Sequence, residues 1–144
     1  MNRLEYWIKA QTQYRVHSPF VFDMYRKVLF ARLDAEGEGR MRAFVPEGVD
    51  FCRADRRYHE VVYKLCDHYG LRVACYDGDE AVLEGDEAEF GSVKVVCRPH
   101  RCRARELRWM AQQGNEKYNV SIDLYDAGLL LSHPKLHRER FLLR

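Results

Sequence analysis

The chain has 144 residues, 47% apolar and 32% charged, enough for one domain with its own core and unlike a disordered tail or a fibrous repeat. Its 24 basic and 22 acidic residues leave a formal charge of +2, so no global field argues for nucleic acid or membrane. No apolar run nears the ~18 residues of a membrane span, and residues 1–15 lack the apolar core and small-residue cleavage site of a secretory leader. The expectation is a soluble, cytoplasmic protein with no membrane partner.

Leu4, Trp7, Ile8 and Gln11 recur at helical spacing and predict a helix over residues 3–15. Ser18-Pro19 reads as an N-cap followed by a proline at the first helical position. The second helix should run to about Leu33, with Val21, Met24, Tyr25, Val28 and Leu29 as its apolar stripe. Residues 34–50 hold three glycines, a proline and mixed charge, and read as a loop joining the helical segment to the rest. A third helix spans residues 54–69, with Tyr58, Val61, Val62, Leu65 and Tyr69 on one face and Gly70 as its stop.

From Leu71 the pattern turns to strands. Residues 71–76, 81–83 and 91–97 each read as one, with Asp77-Gly78 as the first turn. A helix follows over 102–113. Residues 118–125 alternate, with Val120, Ile122 and Leu124 on one face, and the strand continues over 128–132 after a kink or bulge. His133-Pro134-Lys135 is a turn, and Arg138–Leu143 closes an antiparallel hairpin. The expected fold class is α/β: N-terminal helices, a reduced mixed sheet of about five strands, and a C-terminal antiparallel hairpin. The organisation reads as one compact unit: a helical segment 1–33, a loop 34–53 and an α/β domain 54–144. The helix at 102–113 lies between two strands, which predicts parallel pairing early in the sheet.

Five cysteines, an odd number with no C-x-x-C spacing, predict reduced thiols, several of them core residues. Cys97, His100 and Cys102 lack the second ligand pair that zinc wants, so no metal is expected. Cys66 with His59 or His68 as a thiol nucleophile has no further support. Nor is there a phosphate-cradling glycine loop, a G-x-S-x-G or an H-E-x-x-H.

Two charge clusters remain. Residues 77–89 hold seven acids and no base; positions 5 and 6 of a calcium loop would be Ala81 and Val82, so the segment reads as a solvated hairpin tip. Arg98, Arg101, Arg103, Arg105 and Arg108 open a helix, where positive charge opposes the macrodipole. That cost points to a local anion. Either the 77–89 segment supplies it or a nucleic acid does; internal pairing is the more economical, because no aromatics interleave with the arginines.

His17-Ser18-Pro19-Phe20-Val21 after a first helix resembles the entry motif of a bacterial class I S-adenosylmethionine-dependent methyltransferase-like family. Residues 120–131 and 140–144 are similar to that family's closing hairpin, and 97–113 to the strand and helix before it. About half the chain is covered. The resemblance implies a doubly wound sheet with a glycine turn after its first strand to hold the cofactor, and a later acid on the ribose. Here that turn is Asp77-Gly78-Asp79, with one glycine and a second acid. Only residues 77–91 lie between strand 71–76 and the strand matching 92–97, too few for a βαβ crossover; this reads as internal loss.

The leading expectation is therefore a degenerate, non-catalytic interaction or regulatory module without cofactor, self-associating through an uncovered sheet edge. One alternative is an active methyltransferase with an atypical or dimer-completed pocket, using S-adenosylmethionine with His17, Asp77 and Asp79 about it. A second alternative is a nucleic-acid-binding module using the five arginines.

Overall fold

The computed structural model describes residues 1–10, 18–86 and 90–144. Helix α1 spans Arg3–Lys9, capped by the Asn2 side chain, and buries Tyr6. Residues 11–17, which held the rest of that expected helix and His17, lie outside the described residues. The Ser18 hydroxyl caps α2, Pro19–Met24, by accepting from the Val21 amide, with Pro19 at the start as expected. The helix widens into a π turn over Tyr25–Leu29 and ends at Phe30, short of Leu33. Val21, Met24, Val28 and Leu29 are buried as its stripe requires.

Residues 34–50 are not all loop. Ala35–Phe44 form helix α3. Its start is set by Asp34, whose carboxylate accepts from the Gly37 amide at 2.6 Å. Glu36–Arg40 and Glu38–Arg42 pair along it, and Met41 is fully buried. Two glycines argued against a helix; one cap, two i,i+4 pairs and a buried anchor outweigh their propensity cost of about 1 kcal/mol each. A 3-10 turn, Arg53–Asp55, then leads into α4, Arg56–Tyr69. Tyr58, Val61, Val62 and Leu65 of α4 are buried, and Gly70 ends the helix in the left-handed region at φ 65°.

The strands are β1 Arg72–Tyr76, β2 Glu80–Glu84, β3 Ser92–Cys97, β4 Val120–Asp123, β5 Ala127–Ser132 and β6 Glu139–Leu142. Helix α5, Arg103–Gln113, joins β3 to β4. They form one mixed sheet in the order β1-β2-β3-β5-β4-β6, with six strands among the described residues. The sixth appears because the kink expected between 125 and 128 is a full reversal. Tyr125 turns at φ 68°, its amide donating to Asp123 Oδ1 at 2.8 Å, and Leu124 N–H reaches the Ala127 carbonyl at 2.9 Å.

The antiparallel hairpin near the C-terminus is thus β4–β5, and the last strand does not close it: β6 lies parallel to β4, on its other side. Asn119 explains the detour. Its side-chain amide donates to the His133 and Leu136 carbonyls at 2.6 and 2.7 Å, its Oδ1 accepts from the His133 amide, and its carbonyl accepts from Glu139. The 133–138 segment is drawn across the end of β4 and delivered to its far edge. Likewise, β3 and β4 run in the same direction around α5, but β5 is inserted between them, so their pairing is not direct.

Val93, Val95, Cys97, Ala127, Leu129, Leu131, Val120 and Ile122 form one face of the sheet and share a core with α2 and α4. The opposite face of β5 meets Trp109 of α5 at Gly128. No helix among the described residues is long and apolar enough to cross a membrane.

Candidate functional site

Strands β3 and β4 end side by side, either side of β5. The loops that leave them, residues 98–102 and 124–126, face the start of α4 and the start of α1. In open α/β sheets this is where ligands collect, outside the carboxyl ends of the strands. A cleft of about 810 Å³ lies there. Six arginines line it: Arg3 of α1, Arg53 of the 3-10 turn, Arg56 and Arg57 of α4, and Arg98 and Arg101 of the β3–α5 loop. Glu60, His100, Ala54, Tyr125 and Asp126 complete the wall.

Acids in and behind the lining hold some of these guanidinium groups. Arg3 Nη2 lies 2.8 Å from Asp126, and Arg56 Nη2 donates to Glu38 at 2.6 Å. Arg98 Nε lies 2.7 Å from Asp55 Oδ1, close but not aimed as a hydrogen bond. Asp55 is partly buried, which alone would raise its carboxyl; the Cys52 and Cys97 thiols that donate to it, and Arg98, outweigh that and hold it below the usual range. Arg57 is held less well. Its nearest acid, Glu60, is 3.8 Å away, its Nη2 is buried without a partner, and burial lowers its affinity for the proton. Arg53 and Arg101 are exposed and form no ion pair among the described residues. Arg53, Arg56 and Arg57 also sit at the start of α4, where positive charge opposes the macrodipole.

The floor is His100, its side chain 4% exposed. Nδ1 is 2.7 Å from Glu106 and Nε2 is 2.5 Å from Asp123. Burial pushes this imidazole down, but Asp123 and then Glu106 outweigh it and raise it above its ordinary value. Glu106 also accepts from the Met1 ammonium, which with His100 lowers its own pKa. With both nitrogens donating, the ring has none free to take a proton from a ligand. Tyr125 stacks on His100, centroids 5.2 Å apart, beneath the Arg3 guanidinium. Arg98 and Tyr125 both adopt positive φ, 41° and 68°, a local cost that two loop residues carry at the mouth of one cleft.

The described residues that line the cleft include no serine, cysteine or lysine. Cys97, behind it, is buried, and burial with the Asp55 charge pushes its thiol up to about 12. The arrangement can bind an anion.

The five arginines taken together from the sequence part company. Arg98 and Arg101 line the cleft. Arg103 points outward and lies 3.6 Å from Glu106. Arg105 donates to the Cys97 carbonyl at 2.9 Å and to Asp79 at 2.5 Å, so internal pairing with the acidic segment accounts for it; Arg108 borders the same spot. Arg3, Arg53, Arg56 and Arg57 were missed. The run Arg53-Ala-Asp-Arg-Arg57 at a helix start carries the signal used for 98–108, and would have drawn attention to α4.

The residues that the resemblance implies for S-adenosylmethionine do not fit it. β1 ends in a tight turn in which Asp77 Oδ1 accepts from the Asp79 and Glu80 amides at 2.7 and 2.9 Å. Asp79 is engaged by Arg105. The cavity they border, with Val96 and Gln112, is about 20 Å³, room for about one water. His17 lies outside the described residues. Among the described residues no three His, Cys, Asp or Glu side chains converge as a metal site; Cys97 is buried and Cys102 exposed.

No family model, curated protein or solved structure matches this chain.

Proposed function

We propose that this protein is a non-catalytic binding module of methyltransferase-like ancestry that holds an anionic, phosphate-bearing ligand in its arginine cleft. The observation that carries the reading is the convergence of six arginines, from three separate chain segments, on one cleft at the ends of β3 and β4. Arginine forks match phosphate oxygens two at a time. Arg53 and Arg101, without acid partners, are the first to meet such a ligand. The ancestry is supported by the terminal segments 17–21 and 120–131, and the loss of catalysis by the hairpin at the tip of β1.

The module also pairs with a second copy along β1. That strand is the free end of the sheet, and Arg72–Cys75 are exposed. The opposite end is tied down: the Tyr6 and Tyr25 hydroxyls donate to the Leu143 and Arg144 carbonyls. An open edge with one charge in five residues offers unpaired backbone groups to an identical strand.

Nucleic acid is the second reading, favoured by Arg98 and Arg101 both lying in the cleft.

Calorimetry with ATP as a phosphate-bearing probe tests the site. Saturable binding is expected, weakened by salt and by Arg53→Gln with Arg101→Gln. A chain that ignores ATP but binds S-adenosylmethionine saturably overturns the reading.

A further inference from the structure

We infer that the cleft recognises its ligand through phosphate groups alone, and that the ligand is a compact polyphosphate chain, not a base-bearing strand. This rests on the cleft being the binding site. Single-stranded nucleic acid is held by a basic groove together with free aromatic faces on which bases stack. The groove is present, and each described ring beside it already meets another ring and a guanidinium group. Tyr125, the one aromatic phenol ring in the lining, is stacked on His100 and covered by Arg3, whose guanidinium carbon is 4.5 Å from its centroid. Phe51, which flanks the neighbouring hollow beside Arg98 and Arg101, stacks on His59 at 5.0 Å and lies under Arg42 at 4.7 Å. Phe30 is in contact with Tyr25 and lies beneath Arg57.

Nothing aliphatic replaces the rings. Ala54 is the only aliphatic side chain among the described lining residues, so a base would find guanidinium groups and arginine stems, with no pocket of aliphatic side chains to seat it. A polyphosphate needs neither. It carries charge at every phosphorus, and it meets an excess of arginine over the Glu60 and Asp126 carboxylates in the wall. Arg57, whose Nη2 finds no acceptor within the protein, lines the same cleft. Arg53 and Arg101 close on the chain from opposite elements, the start of α4 and the β3–α5 loop.

The experiment is calorimetry on the full chain at low salt with inorganic tripolyphosphate, ATP, adenosine, and single-stranded oligoadenylate and oligouridylate. Tripolyphosphate and ATP should bind alike and adenosine not at all. Arg53→Gln with Arg101→Gln should weaken both by about tenfold or more, while Arg108→Gln, outside the cleft, leaves them unchanged. Both arginines are exposed, so folding is not at stake. ATP binding without tripolyphosphate binding overturns this inference and leaves the cleft reading standing. So does an oligonucleotide that binds more tightly per phosphate than tripolyphosphate and distinguishes adenylate from uridylate. Failure of every phosphate-bearing probe to bind overturns both.

Discussion

His100 Nε2 and Asp123 Oδ2 lie 2.5 Å apart, each side chain 4% exposed. The pair joins the loop after β3 to the end of β4, and so holds the two walls of the cleft together. Because the folded imidazole is raised above its ordinary value, its contribution to stability is complete below about pH 6.5, the unfolded value, and is lost as pH rises through the folded one. His100→Gln should cost about 3 kcal/mol at the acid end. The gap in melting temperature between wild type and variant should narrow as pH rises from 6 to 9. Thermal melts across that range check it; a gap that is constant or widens with pH contradicts the assignment.

Arginines in one sequence run have different jobs. Arg105 fastens the β3–α5 loop to the β1–β2 turn through the Cys97 carbonyl and Asp79. Arg105→Gln should lower stability by about 1 kcal/mol and leave anion binding alone. Arg101→Gln should do the reverse, since it has no partner to lose. Urea titrations and calorimetry on the two variants separate the effects, and equal loss of binding in both would contradict the division.

Gly128 lies under the Trp109 indole. A Cβ built there would meet Cη2 at 2.5 Å and Cζ3 at 2.6 Å. Trp109 is itself buried and cannot swing away. Gly128→Ala should destabilise by about 1–3 kcal/mol through overpacking. Trp109→Leu should cost stability on its own, yet partly relieve the glycine substitution when the two are combined. Additive losses in denaturant unfolding would show that the contact is not the cause.

At the sheet edge, Val73 is 42% exposed. Val73→Lys places a charge on β1 and should shift the chain toward monomer with little change in melting temperature. Light scattering across a concentration series reads the outcome. A wild-type chain that stays monomeric at every concentration contradicts pairing along β1.

Much of this fold is local, and so was legible in the sequence. Ser18-Pro19 starts α2 because cap and proline act within one turn. Tyr58, Val61, Val62 and Leu65 bury α4 because 3.6-residue periodicity marks one face. Asp77-Gly78 turns β1 into β2 because the aspartate accepts from its own next amides. The link between the arginine run and the acidic hairpin, realised as Arg105–Asp79, was legible because opposite charge leaves few economical partners.

What the sequence by itself determined is thus where elements start, which face they bury, and that the class is α/β. The tertiary structure alone decided which strands neighbour one another and which distant side chains share a cleft. Alternation in 139–142 says that a strand forms; it does not say that Asn119 will carry it past β5 to lie parallel to β4. Composition in 34–44 says loop until Met41 finds a core and Asp34 a free amide. Arg3, Arg57 and Arg101 are far apart in the chain and meet because β3 and β4, parallel to each other with β5 between them, end at the same side of the sheet. Periodicity and capping act over a few residues, whereas pairing and convergence are set by packing between segments that no local pattern connects.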